Sequence, residues 1–157
     1  MSRNITPQTR AALYAPQTDD VFIILLTIAH PEMVVPLRVC SGGVETLSRG
    51  ETFVAFPFGL TLPEDADGRP PRARLSIDNI DRQIVAAVRG LRSSPYVLVE
   101  IIRAAAPDVV EARFEDFRFT NISYDSQAVT GDLTVEDFTA EPYPAAAFSP
   151  SLFPGLF

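Results

Sequence analysis

Apolar residues in this chain recur at every second position, in short runs cut repeatedly by Pro, Gly or Asp clusters. Ala73, Leu75 and Ile77 alternate with Arg72, Arg74, Ser76 and Asp78, and Val129, Gly131, Leu133 and Val135 alternate with Thr130, Asp132, Thr134 and Glu136. A period of two places successive side chains on opposite faces of a strand and is incompatible with an amphipathic helix. Many such runs in 157 residues leave one economical solution, an antiparallel β-sandwich or barrel in a single domain.

The remaining segments fill in that frame. Thr6 suits an N-cap and Pro7 the first helical position, so a short helix is expected to follow until Pro16 stops it. Val21–Ala29 is aliphatic without alternation, which predicts a strand covered on both faces or lying in an interface. Met33–Ser41 returns, and Pro36 predicts an edge position or a bulge for it. Gly42-Gly43 reads as a hairpin turn into Val44–Ser48, and Arg49-Gly50 as another into Glu51–Phe56. Phe58–Leu62 precedes the polar loop Pro63–Pro71, and Tyr96–Ala104 is a further strand.

Two places break the pattern. Ile80, Ile84, Val88 and Leu91 lie three or four apart, so Asn79–Leu91 is predicted to be an amphipathic helix flanking the sheet. Val110, Ala112 and Phe114 hold even positions, whereas Phe117 and Phe119 hold odd ones. A one-residue slip of this kind predicts a β-bulge near Glu115-Asp116.

Residues 1–140 thus form the predicted domain, and 141–157 a Pro- and Phe-rich arm. The arm has no charge after Glu141, yet it carries Tyr143, Phe148, Leu152, Phe153, Leu156 and Phe157. With no periodic element to bury them, the arm must dock on its own domain or on a neighbour, and these six are the predicted interface residues.

Charge argues against a nucleic-acid-binding role. The chain carries a net charge of −7, and residues 108–141 alone supply that excess. A domain that grips phosphates shows a basic stripe instead. The acids fall on polar strand positions, where Glu111, Glu115, Asp132 and Glu136 either line the channel of a ring and repel DNA or form an acidic outer surface that aids solubility. The apolar run at 21–29 is far shorter than the ~20 residues of a membrane span, so no membrane partner is expected.

Little in the sequence points to chemistry. His30 is the sole histidine and Cys40 the sole cysteine, so neither a Cys/His metal pattern nor a disulfide is available. Cys40 reads as core filler and His30 as a polar residue before the turn at Pro31. Glu64–Gly68 resembles a calcium loop only loosely, since no Glu stands where the bidentate ligand belongs. No enzyme, cofactor or metal site is expected.

From Phe56 onward the chain resembles a family of bacteriophage tail-tip proteins of unassigned domain function. The resemblance rests on Phe56-Pro57-Phe58 with its acidic-proline loop, and on Ala73-Arg74-Leu75-Ser76-Ile77-Asp78-Asn79-Ile80-Asp81. It continues in Phe117-Arg118-Phe119, Ser123-Tyr124-Asp125, the Gly131 strand, Glu141-Pro142-Tyr143-Pro144 and the ending Phe153-Pro154-Gly155-Leu156-Phe157. What it implies is a non-enzymatic virion subunit with a sandwich of tail-tube or distal-tail type. The expected partners are copies of itself in a ring, six-fold before three-fold, with tail-tube and hub proteins above and below. DNA would pass through without specific binding. The competing expectation is a monomeric β-sandwich binding module with no virion role.

Overall fold

A computed structural model describes residues 5–61, 72–78, 90–125, 128–135 and 155. The helix expected over 79–91 falls almost wholly outside the described residues, as do the 63–71 loop and the arm apart from Gly155. Among the described residues there is one α-helix, α1 (Pro7–Tyr14), and nine strands. Thr6 caps α1 as expected, its Oγ1 accepting from the Thr9 N–H at 3.3 Å, and Pro7 takes the first turn.

The strands are β1 (Phe22–Ala29), β2 (Leu37–Cys40), β3 (Thr46–Ser48), β4 (Glu51–Ala55) and β5 (Phe58–Thr61), then β6 (Arg72–Asp78), β7 (Tyr96–Arg103), β8 (Ala106–Tyr124) and β9 (Ala128–Val135). They form one sheet in the order β3-β4-β2-β1-β7-β8-β9-β6-β5. All described pairings are antiparallel except β2 with β4, which makes the sheet mixed. Of the two predicted architectures the sandwich-like one holds, because among the described residues no ladder closes the sheet into a barrel. Phe56-Pro57 nevertheless links β4, next to one end of the sheet, to β5 at the other, where β4 leaves β2 and β5 begins on β6. Phe56 N donates to Cys40 O, and Asp78 N donates to Pro57 O.

The main core lies on one face of this coiled sheet. Leu26 and Ile28 of β1, Val97 and Val99 of β7, Phe119 of β8, Leu133 of β9 and Leu75 and Ile77 of β6 are buried together. On the reverse face a smaller core joins Ile23 and Leu25 to Cys40, Phe53 and Ile102. Strand β1 therefore contributes to both, which is why it lacks alternation: either face of it is apolar because either face is covered. Each Leu, Ile or Phe fully buried in this way stabilises by roughly 1.5–3 kcal/mol.

Register explains the slip in β8. Val97 pairs with Phe117 and Val99 with Phe114, so β8 carries one extra residue at Glu115-Asp116, where the bulge was expected. A second bulge went unforeseen. Ile101 pairs with Ala112 but Ile102 with Val110, leaving Glu111 as the extra residue and turning Val110 toward the smaller core. A third lies between Thr120 and Ser123, where Asn121 adopts a positive φ of 52° and its Nδ2 donates to Asp132 Oδ2.

One turn assignment needs correction. Gly42-Gly43 does not close a hairpin, since β2 pairs with β4 in parallel and β3 lies on the far side of β4. Arg49-Gly50 does close one, with φ of 51° and 81° as a primed two-residue turn demands. Strand β2 is interior, flanked by β1 and β4, and Pro36 ends just before it rather than marking an edge.

Candidate assembly surface

His30 closes β1 and is nearly buried, at 8% exposed. Its Nδ1 accepts from the backbone N–H of Glu32 at 3.1 Å, and its Nε2 lies 2.7 Å from Ser93 Oγ. A backbone N–H can only donate, so Nδ1 is unprotonated in this bond and Nε2 carries the proton of the neutral ring. Ser93 Oγ then accepts from His30. Activation of a serine nucleophile requires the opposite polarity, with Nε2 free to take the hydroxyl proton. The Glu32 carboxylate, 3.9 Å from Nδ1, instead accepts from Arg92 N at 3.2 Å. Together these bonds tie the loop after β1 to the approach to β7. Among the described residues, no group of three or more His, Cys, Asp or Glu is placed to hold a metal ion.

Two buried carboxylates organise the rest of the polar interior. Glu100 on β7 receives both terminal nitrogens of Arg49, Nη1 at 2.8 Å, and has Arg113 Nε at 3.7 Å. Those hydrogen bonds hold the Arg49 guanidinium above its ordinary pKa despite its partial desolvation. Arg49 N also donates to Asp108 Oδ1 at 2.6 Å, and Ser48 Oγ donates to Pro107 O at 2.7 Å. The β3–β4 hairpin is thereby fastened across the reverse face, over the smaller core.

Glu111 is the other buried carboxylate, at 2% exposed. Thr6 N and Thr6 Oγ1 each donate to it at 2.9 Å, and Arg103 Nε donates at 3.2 Å. Burial pushes this carboxyl up, but the Thr6 amide, the Thr9 and Thr6 hydroxyls and Arg103 together bring it below the ordinary glutamate value. Arg103 also reaches Gln8 Oε1 at 3.2 Å and Asp20 Oδ2 at 3.7 Å. The bulged glutamate thus anchors the start of α1 to the sheet.

This placement corrects the channel assignment for Glu111, which is enclosed beneath α1 and cannot line a water-filled passage. Glu115 is half exposed and lies 3.5 Å from Arg113, while Asp132 is part-buried and lies 3.8 Å from Arg74. Both carboxylates are offset by a nearby arginine, so the expected acidic strand surface is locally of mixed charge. Glu136 lies outside the described residues, as do the predicted interface residues Tyr143, Phe148, Leu152, Phe153, Leu156 and Phe157.

The structure draws attention to apolar side chains that the sequence reading assigned to strands. Val34 is 99% exposed and Val35 65%, in the loop between β1 and β2. Val21 and Val44 are also exposed, at 60% and 73%, beside the opposite end of β1. The one available signal was Pro31 and Pro36 bracketing Met33-Val34-Val35, which argued for a loop rather than a continuous strand.

Comparison with known proteins gives a family without an assigned activity. No curated protein matches the chain significantly. Residues 8–148 match a family model described as a domain of unknown function, DUF1833. That match runs through α1, all nine strands and the start of the C-terminal arm, and the chain belongs to the DUF1833 family.

Proposed function

We propose that this chain is a non-enzymatic structural subunit of a bacteriophage tail tip, in a distal-tail or hub-adjacent ring joining the tail tube to the tip. The observation that carries this reading is an inversion of the usual economy of a small domain. Polar contacts brace a loop whose tip, Val34 and Val35, is left bare. A surface built in this way suits coverage by other protein chains better than turnover of a small molecule. The tail-tip motifs that begin at Phe56 and end at Phe157 supply the biological setting.

In this reading copies of the chain form a ring, six-fold in preference to three-fold, with tail-tube and hub proteins as neighbours. The virion tail tip is its final location and the host cytoplasm its place of assembly. DNA passes through without specific binding, and Glu115, Asp132 and Glu136 remain the candidates for the channel wall. The arm residues Tyr143, Phe148, Leu152, Phe153, Leu156 and Phe157 pack across a neighbour.

Cryo-EM of particles carrying the chain tests the proposal, with density for a ring of this domain expected at the tail tip. Deleting residues 148–157 should give a folded chain that does not join the particle. Complete, infectious tails lacking density for the domain would overturn the reading and favour a monomeric binding module.

A further inference from the structure

Most arginines of the described structure are paired with acids. Arg38, Arg49, Arg74, Arg103 and Arg113 each lie within 3.8 Å of a carboxylate. Among the described residues, Arg10, Arg92 and Arg118 have no such partner. Arg10 is exposed on α1, whereas the other two border one polar recess.

That recess consists of two adjoining clefts of about 280 and 340 Å³, lined in common by Ser94 and Thr120. Arg92, Ser93 and Asn121 line the first, and Arg118 lines the second. Among the described residues no carboxylate lines either one. In a chain of net charge −7, a recess with two guanidinium groups and no acid is an exception to the general surface.

Its donors are held in place. Phe119 N donates to Pro95 O at 3.0 Å, which fixes the segment 93–95 against β8. His30, itself nearly buried, gives its Nε2–H to Ser93 Oγ, so the Ser93 proton is left to donate elsewhere. The Arg118 guanidinium stands 3.9 Å over the Tyr96 ring, a contact that leaves its in-plane N–H groups unused. Beside them the bulge between Thr120 and Ser123 takes one residue out of the β8–β9 ladder, with Asn121 at a positive φ of 52°. Strained backbone of this kind collects at ligand clamps. Two neighbouring carboxylates are already engaged, Glu32 by Arg92 N and Asp132 by Asn121 Nδ2.

We propose that this recess binds a single phosphate group carried on a small molecule, with Arg92 and Arg118 supplying charge and Ser93 and Ser94 hydroxyl donors. Guanidinium groups match oxyanions through paired, charge-assisted hydrogen bonds. A tetrahedral anion offers enough oxygens for two arginines and two hydroxyls together, whereas a planar carboxylate offers two. The net charge of −7 selects a small ligand over a polyanion, whose many charges the rest of the surface repels. The inference stands apart from the tail reading, because binding is measured on the isolated chain.

The test is an NMR titration of the full chain with inorganic phosphate, at constant ionic strength in chloride. Amides of residues 92–95 and 118–122 should move along one saturating curve. Arg92→Gln, at an exposed position, should keep the wild-type melting temperature and weaken binding by about tenfold. Arg10→Gln removes the same charge away from the recess and should leave the affinity unchanged. Arg118→Gln also gives up the Tyr96 contact, so Ser94→Ala serves as the second variant, with a loss of about fivefold. Sulfate should compete with phosphate, and acetate should compete far less well. Shifts that do not saturate, equal weakening by Arg10→Gln and Arg92→Gln, unchanged binding in Ser94→Ala, or acetate competing as well as sulfate would each overturn the proposal.

Discussion

The ring of Phe119 lies directly over Gly131 on the neighbouring strand, so that a Cβ added to the glycine would sit 2.5 Å from Phe119 Cε2. It would also sit 2.9 Å from Thr120 O, a backbone atom that cannot swing aside. Phe119 is fully buried in the main core, with Leu133 as its register partner. Glycine normally weakens a strand interior, but here its missing side chain is the space that the phenylalanine fills.

Gly131→Ala should therefore destabilise the domain by about 1–3 kcal/mol through overpacking, despite alanine's lower unfolded-state entropy. Chemical denaturation of the two proteins measures this directly. If Phe119→Leu in the alanine background restored most of the loss, steric conflict between these two positions would be its source.

Glu111 predicts a pH dependence. Its folded pKa lies below the unfolded value, so its stabilisation is fully present above the ordinary glutamate pKa of about 4.3 and is lost as pH falls toward the folded value. The melting temperature of the wild-type chain should drop through that window, and Glu111→Gln should flatten the drop. Glu111→Ala at neutral pH should cost about 3–5 kcal/mol, the usual range for stranding one member of a buried ion pair. Proteolysis should then cut first near α1, which loses its anchor.

Arg49 sets a left-handed backbone against a buried ion pair. Its φ of 51° is unfavourable for a residue with a Cβ, by roughly 1–2 kcal/mol. Both Arg49→Ala and Arg49→Gly should destabilise the chain, because among the described residues buried Glu100 is left with Arg113 alone, at 3.7 Å. The glycine variant should be the milder of the two by about 1 kcal/mol, since it alone relieves the backbone. Equal losses in urea titrations would show that backbone strain contributes nothing here.

Removing Ser93's hydroxyl should act on the loop, not on any turnover. Ser93→Ala leaves the nearly buried Nε2–H of His30 without its partner, at a cost of about 1–3 kcal/mol. Faster proteolysis within residues 31–36 is the expected signature. A variant with an unchanged melting temperature that lost measurable ester hydrolysis would instead make Ser93 a nucleophile.

Local information was enough for whatever depends on neighbouring residues. Thr6-Pro7 specified the start of α1, alternation specified β6 and β9, and the even-to-odd slip between Phe114 and Phe117 specified a bulge. The unbroken apolar run of β1 allowed a strand covered on both faces or one in an interface, and the two cores show the first. Each is a property of side-chain period or backbone chemistry over a few residues, and sequence carries it directly. Partner choice between strands is not. Nothing local distinguishes a Gly42-Gly43 hairpin from a crossover, so the parallel pairing of β2 with β4 was decided by packing over Cys40 and Phe53. The charge of Glu111 was legible and its burial was not, since alternation alone puts it on a polar face. A second bulge in the β7–β8 pairing and Thr6, 105 positions away, enclose it, and alternation marks neither. Val34 and Val35 were apolar letters suited to a strand until the tertiary structure ended β1 at Ala29, began β2 at Leu37, and left them facing water.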